Sequence, residues 1–584
     1  MGTRSRPLEA QAAPRPAPRR PSSGLDELLP VLKALVIVLL GVFIYAPALH
    51  GDWLWDDQDL LPHNELMQDP DGWWRIWLQP WVMFDFMPVK ISVEWAEWHL
   101  FGDDTFGYHV VSLVLHLLSA LLLWRFFTRL GLRYAWLGAV LFTVHPVHVE
   151  SVAWISELKN TLSLPFFLLA MTAWVDYETR RKSGLYVAAL LLFLVAMLAK
   201  PTMAMFPVVI LLYAWWKRGR IGRGDIVAAS PFFIISLAVG ATAAYFLHRS
   251  TGEQHVLLGG PLSRMACAGL CLAFYFSKCV LPLCLLSTYP QWPVNPPSPL
   301  QFLPWPVLLG VLAFLWTKRT TWGRHALLGL GFFLLNLAPF LGLSAASYMN
   351  FTWVMDHLLY IPSLGLIGLA VAAAAHIASL LPAPGRTLGA GLVVVLIGWM
   401  TWTSHEYAFL YQNLRTLWTY NVAQNPGSAL SHNDLGTTYA SEGDNVRAME
   451  EFRIAEQLDP RYADAHHNIA IILMNTGHLE EATAELQLAI AQMPQVGELH
   501  YSLGNALALS HQRDAAIAQY AEAINLQPDL KVGYHNLKVL LSSEGRKQEA
   551  FSVVQLGLSH FPNDQQLQAD LLDLEGKLPP QQRP

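Results

Sequence analysis

Between residues 27 and 405 the chain alternates runs of Leu, Val, Ala and Phe with short charged connections, many of the runs long enough to cross a bilayer. About 20 consecutive apolar residues read as a membrane helix, so this pattern predicts a polytopic helical bundle. Spans are expected to begin near Val31, Gly107, Tyr134, Thr161, Leu185, Thr202, Ile226, Trp305, Ala326, His357 and Leu388, eleven in all. Positive charge between spans favours the cytoplasmic side. That rule puts Arg125/Arg129/Arg133, Arg180/Arg181/Lys182, Lys217/Arg218/Arg220/Arg223 and Lys318/Arg319/Arg324 inside with the N-terminus. The connections 50–106, 145–160, 199–201, 248–304 and 344–356 then face out, as does everything after about Ser404. Counting Cys267–Leu286 as a span would turn Lys318, Arg319 and Arg324 outward, so it reads as a re-entrant or interfacial piece.

At 584 residues the chain holds more than one domain. Residues 1–26 are rich in Arg, Pro and Ala and read as a disordered basic tail. The run from Val31 to Leu49 is longer than a signal-peptide core and reads as a retained first span, although the APALHGD that ends it is compatible with cleavage. The four cysteines, Cys267, Cys271, Cys279 and Cys284, match no zinc or disulfide spacing and read as small packing residues. A net charge of −6, with no basic patch, gives no reason to expect nucleic acid.

The connection from Gly51 to Phe106 is the most unusual stretch. It holds twelve Asp or Glu against two basic residues, and eight of the 22 Trp. Carboxylates at a membrane surface can move protons, and indole faces can stack on sugar rings or anchor in head groups; a solvated loop with interfacial Trp is the plainer reading. The Trp55-Asp56-Asp57 cluster favours chemistry. In the next outer connection Pro146 should break the span, leaving His145, His148 and Glu150 at the surface as lining of a pocket or, less simply, as metal ligands. Glu157, Lys159 and Asn160 continue this polar stretch. Lys200-Pro201 is either a turn or a cation for an anionic head group. Asp356-His357 opens a span, where the carboxylate tunes the imidazole or the pair caps the helix.

Prolines at 426, 460, 494, 528 and 562 recur every 34 residues. That is the period of the tetratricopeptide repeat, a two-helix unit that stacks on its neighbours. Leu435-Gly436, Ile469-Ala470 and Leu503-Gly504 supply the small residue where the two helices approach. Phe452, Leu486, Tyr520 and Val554 fill the large site. The expected units are 427–460, 461–494, 495–528 and 529–562, with a partial unit before them and a capping helix and tail over 563–584. Lys538 at the small-residue position of the fourth unit suits a terminal repeat with a polar outer face. Asn468 and Asn536, with His467 and Tyr501, line first helices and can bond an extended peptide's backbone; ordinary surface polarity would look the same.

The runs WDDQDLLPHNELMQDPDGWWRIW, MPVKISVEW, FGDDTFGYHVVSLVLHLLSALL, HPVHVESVAWISELKN, AKPT and DHLLYIPSLGL, in that order, resemble the transmembrane and tetratricopeptide-repeat O-mannosyltransferase family and its bacterial relatives. The resemblance implies an all-α chain: a polytopic membrane domain of the class C glycosyltransferase type over 27–405, then an α-solenoid from 406. It also implies transfer of a hexose, with mannose the expected sugar, from a polyprenyl-phosphate donor to protein Ser or Thr outside the cytoplasm. By match, the catalytic acid of the first outer loop is Asp56 or Asp57. The donor and its phosphate would meet His145, His148, Glu150, Lys159, Lys200, Asp356 and His357, and the repeats would hold the acceptor polypeptide. No metal is called for, and a divalent ion accompanying the donor stays open. The expected setting is a bacterial inner membrane with periplasmic repeats, or an endoplasmic reticulum with luminal ones. The competing reading is a non-catalytic, membrane-anchored repeat scaffold for envelope assembly.

Overall fold

A computed structural model describes residues 24–83, 85–251, 259–342 and 347–577. Residues 1–23 of the expected basic tail and 578–584 of the C-terminal tail lie outside it. Among the described residues every regular element is helical.

Helix α1 (Gly24–Tyr45) leads into the acidic connection, which folds as short turns and one longer helix, α2 (Pro88–Phe101). The bundle continues through α3 (Thr105–Arg129), α4 (Ala135–Val144), α5 (Leu158–Arg180), α6 (Ser183–Ala199), α7 (Phe206–Arg218) and α8 (Arg223–Thr251). After α9 (Pro261–Val280) come α10 (Pro304–Thr317), α11 (Gly323–Leu337), α12 (Ser363–Leu380) and α13 (Ala383–Phe409). Each of the eleven expected spans coincides with a helix. Among the described residues seven segments, those of α1, α3, α5, α8, α10, α12 and α13, are long and apolar enough to cross a membrane; α4 and α6 are shorter apolar helices. The 13 residues of α7 and 15 of α11 reach only about 20 Å at 1.5 Å per residue. Prolines at positions 146 and 201 start 3-10 turns at the site-bearing end, so α4 and α6 stop early and their polar backbone is taken up inside protein. Within 267–286, Cys267, Cys271 and Tyr275 form the buried face of α9, and the chain beyond Val280 runs on without helix to the turn at Pro299.

The ends of α1 and α13 meet. His405 Nδ1 lies 2.8 Å from the Phe43 carbonyl, and the Asp52 N–H donates to the Gln412 carbonyl at 2.8 Å. The solenoid therefore leaves the bundle at the end that carries the acidic connection. Helix α14 (Leu414–Gln424), capped by Asn413, is the bridge.

The solenoid pairs α15 (Ala429–Ser441) with α16 (Asn445–Leu458), α17 (Ala463–Asn475) with α18 (Leu479–Gln492), α19 (Gly497–Leu509) with α20 (Arg513–Leu526) and α21 (Lys531–Ser543) with α22 (Lys547–His560). A Cβ at Gly436 would sit 2.6 Å from the Phe452 ring, and one at Gly504 2.6 Å from Tyr520. Glycine stands where the partner is aromatic; Ala470 suffices where it is Leu486. In the fourth unit Lys538 reaches over to Asp570 of the closing helix α23 (Gln565–Lys577) at 2.6 Å.

The proline period has a partner that the sequence reading passed over. His432, His466 and His500 place Nε2 3.1–3.2 Å from the carbonyls of Pro426, Pro460 and Pro494. Their Nδ1 atoms meet Glu451, Glu485 and Gln519 on the second helix of the same unit. Tyr534 takes the place in the fourth unit, donating to Pro528 at 3.1 Å. The first three units are thus latched from the first helix to both the second helix and the leading turn, and the fourth to its leading turn. Glu456, His466 and Glu485 form the one group among the described residues whose spacing suits a metal ion, but Arg453 already pairs with both carboxylates.

Candidate functional site

The start of the acidic connection is pinned from three sides. Thr105 Oγ1 donates to the Gly51 carbonyl at 2.6 Å, and Gln412 Nε2 to that of Pro47 at 3.0 Å. The Tyr411 carbonyl comes so close that a Cβ at Gly51 would lie 2.8 Å from it. The chain then turns sharply at Trp55, whose φ of +48° is left-handed, a conformation that costs a non-glycine residue about 1–3 kcal/mol. Its indole lies parallel to Trp154, centroids 5.3 Å apart and planes 6° off, and edge-on to Trp418 of α14 at 5.1 Å. Contacts of this kind contribute roughly 0.5–1.5 kcal/mol each beyond burial, enough to offset the turn.

The two carboxylates after this turn differ in exposure. Asp57 points inward, fully buried, and accepts from the backbone N–H groups of Leu54 at 2.9 Å and Ser156 at 2.8 Å, as well as from the Ser156 hydroxyl. Burial raises its pKa to about 7, the neighbouring Asp56 adds to the rise, and the Ser156 and Leu54 bonds oppose it. Asp56 is exposed, and Ser156 also bonds its side chain. Surrounding protein still desolvates it enough to raise its pKa, with Lys159 as the main opposing charge; an accessible carboxylate in such surroundings lies in a recess.

A file of charged groups runs inward beside that recess. Glu157 Oε1 pairs with Lys159 Nζ at 2.8 Å and lies 3.6 Å from His357 Nε2. The other ring nitrogen, His357 Nδ1, is 3.2 Å from Glu150 Oε1, off hydrogen-bond alignment. Glu150 Oε2 accepts from the His357 backbone N–H at 3.0 Å. Asn160 donates to Glu157 and accepts from Lys200. Glu150, Glu157, His357 and Lys200 are all buried, while the Lys159 side chain keeps 28% of its exposure. Charges taken this far from water persist only when paired in good geometry, and the file holds Lys159, partly open, as the main charge that opposes the rise at Asp56. On the α2 side the buried Lys90 and Glu94 pair at 2.6 Å, and buried Glu97 has no hydrogen-bond partner, its pKa held well above the usual range by burial and by Glu94.

Three of the sequence-derived candidates lie away from this file. His148 binds the Phe142 carbonyl at 2.8 Å and Ser363 Oγ at 2.9 Å, and His145 the Cys279 carbonyl at 3.0 Å. Burial lowers the pKa of both, to about 4 for His145; they tie α4 to its neighbours as neutral rings. Asp356 is fully buried and accepts from Tyr289 at 2.9 and 3.0 Å and from Tyr407 at 3.4 Å. Burial and repulsion from Glu150 raise its pKa well above the carboxylate range. The structure brings together Asp56, Glu150, Glu157, Lys159, Lys200 and His357, and adds Ser156, Lys90, Glu94 and Trp418. Trp418 gave no signal in the sequence, since it reads there as part of an incomplete repeat.

On the repeats, Asn468 Nδ2 donates to Asn433 Oδ1 at 2.9 Å, and Asn536 Nδ2 to the Tyr501 hydroxyl at 3.0 Å. His467 Nε2 is 2.8 Å from Ser502 Oγ. These candidates form a half-buried polar ladder linking successive first helices.

Residues 91–246, from α2 to near the end of α8, match the family profile described as dolichyl-phosphate-mannose-protein mannosyltransferase, and residues 439–507 match tetratricopeptide repeat. Protein O-mannosyl-transferase TMTC4 of Mus musculus is 24% identical over 73% of this chain and 66% of its own length. Protein O-mannosyl-transferase TMTC1 of Homo sapiens is 24% identical over 77% and 58%, and a Caenorhabditis elegans protein O-mannosyl-transferase 28% over 24% and 22%. The chain thus spans between about a fifth and two thirds of the length of these curated relatives. A membrane segment of the mannosyltransferase type followed by tetratricopeptide repeats bears out the resemblance of this chain to the transmembrane and tetratricopeptide-repeat O-mannosyltransferase family.

Proposed function

We propose that this protein is an integral-membrane glycosyltransferase that moves a hexose, taken as mannose, from a polyprenyl phosphate to a Ser or Thr hydroxyl of an acceptor polypeptide. The observation that carries the reading is that exposed Asp56 lies within the electrostatic reach of partly open Lys159, which belongs to a buried charge file. Asp56 takes the hydroxyl proton as general base while the acceptor oxygen bonds to the sugar's anomeric carbon. The bond from that carbon to the phosphate oxygen breaks, and the configuration inverts. Lys159, oriented by Glu157, steadies the charge gathering on the departing phosphate. Buried Asp57 is a positioning residue that ties the turn to Ser156.

Sidedness follows the same reading. Arg129, Arg181, Arg218 and Arg324 cluster at the bundle end opposite Asp56, which the positive-inside rule puts in the cytoplasm. Asp56 and the repeats then share the outer compartment, and the ladder containing Asn468, His467, Tyr501 and Asn536 lies along the acceptor's path. The test is transfer of labelled mannose from a polyprenyl-phosphate donor to a Ser/Thr peptide by protein in vesicles. Asp56→Asn should lower it by about 10²–10⁴-fold, the range of a lost general base. Full transfer by a folded Asp56→Asn variant overturns the assignment.

A further inference from the structure

Toward the opposite end of the bundle α3, α5, α7, α11 and α12 enclose a chamber of about 360 Å³ lined by aromatic and aliphatic side chains, Phe127, Phe167, Met171 and Phe332 among them. It reaches from Val209 of α7 and Leu364 of α12, in the first turns of those helices, to the last turns of α3 and the first turns of α11, while α3, α7 and α12 begin, and α11 ends, at the site-bearing end. The 25 residues of α3 alone put about 37 Å between those ends. The chamber opens into a second recess of about 290 Å³, and Leu130, Tyr213, Trp216 and His325 line both. The rim of that recess carries Arg129, Lys217 and Arg324.

Those three cations are not equally matched. Arg129 pairs with Asp176 at 2.9 Å. Lys217 reaches only the Tyr213 hydroxyl at 3.4 Å and that ring's face at 5.7 Å. Arg324 has no carboxylate within ion-pair distance among the described residues, and its Nε is buried without a hydrogen-bond partner. Arg218, next in the chain to Lys217, binds both Glu178 and Asp225. Carboxylates were available at this end, and the rim of the recess is left without them. Two uncompensated cations over an apolar chamber, in a bundle whose surroundings are lipid, are complementary to a molecule with an anionic head and a hydrocarbon tail. A volume of 360 Å³ also falls in the range of ligand sites, roughly 300–1,000 Å³.

We propose that this chamber and rim bind an anionic phospholipid, its phosphate between Lys217 and Arg324 and one acyl chain in the chamber. Basic pockets between helices at a membrane surface take lipid head groups in this way. A free phosphate satisfies the cations but leaves the chamber unfilled, and a neutral lipid fills the chamber but leaves the cations unmatched.

The test uses the full-length protein in mild detergent, with native mass spectrometry of retained lipid and the thermal midpoint as readouts. Dioleoyl phosphatidylglycerol, dioleoyl phosphatidylcholine and inorganic phosphate are the probes. Phosphatidylglycerol should be retained in preference to phosphatidylcholine and should raise the midpoint. The double variant Lys217→Gln, Arg324→Gln should weaken its binding about 30-fold, from two lost basic contacts near a lipid surface. Ala372→Trp, which leaves the rim charges intact and fills the chamber, should weaken it as well. Equal retention of the two lipids, or no loss in the double variant, overturns the proposal. So does a midpoint rise from inorganic phosphate as large as that from phosphatidylglycerol. Undiminished binding by Ala372→Trp overturns the placement of the chain.

Discussion

The two halves of the molecule hold their buried polar groups by different rules. In the bundle, the bonds that build the site join residues far apart in sequence: Asp57 to Ser156 across 99 positions, His357 to Glu150 across 207. In the solenoid the same kinds of bond recur at fixed short offsets. The histidine latches span 19 residues forward and 6 back, and the Asn ladder spans 35. A repeat protein meets only its neighbours, so each unit repeats one solution. The bundle meets itself once, and every contact there is particular. This makes the solenoid tolerant and additive, and the site cooperative and brittle.

The contrast can be broken or sharpened by experiment. The largest difference should come from pairing Asp56→Asn with the double variant Asn468→Ala, Asn536→Ala. The first removes turnover; the second lowers apparent affinity for acceptor peptide and leaves the transfer rate at saturation unchanged. Equal loss of turnover in both would mean that the ladder serves the reaction itself. Next is Glu157→Ala, which strips Lys159, His357 and Asn160 of one buried partner at once. Breaking a buried pair in this way costs about 3–5 kcal/mol. Hydrogen exchange should then speed up around 156–160 and 356–359 and stay unchanged in 429–577.

Gly436→Val is the converse, forcing a side chain onto the Phe452 ring. Overpacking of this kind costs about 1–3 kcal/mol, read as faster exchange in α15 and α16 with the bundle unaltered. Spread of protection loss into the bundle would break the comparison, because it would make the two halves one cooperative unit. The smallest effect is in pH. Asp57 has a native pKa of about 7 against an ordinary 3.8, so the folded protein holds this proton more tightly than the unfolded chain does. The stability so gained is fully present below pH 3.8 and is lost as the pH rises through 7. The thermal midpoint of the natural protein, measured relative to Asp57→Asn, should fall across that window and level off above it.

Much of the architecture was legible from composition and spacing. Apolar runs marked a helix at every expected span, and a 34-residue period marked the solenoid and its small and large packing sites, because both patterns arise from contacts within a few turns of chain. The first-loop carboxylates and the 145–160 polar stretch were also visible. What could not be read was their sorting. Asp56 and Asp57 are adjacent and identical in type, yet after the left-handed turn at Trp55, held between Trp154 and Trp418, one stays exposed and the other is buried under the backbone N–H groups of Leu54 and Ser156. Asp356 and His357 are likewise adjacent, yet one is caged by Tyr289 and Tyr407 and the other lies between Glu150 and Glu157.

The sequence by itself determined the class of fold, the helical spans and the repeat, since bilayer thickness and helix geometry act on consecutive residues. Tertiary structure alone decided which carboxylate meets solvent, which cation stands near it, and that the bridging helix α14 packs Trp418 against Trp55. Those outcomes depend on contacts between residues 99 or more positions apart, where no local pattern records the pairing and only the closed packing of the bundle selects it.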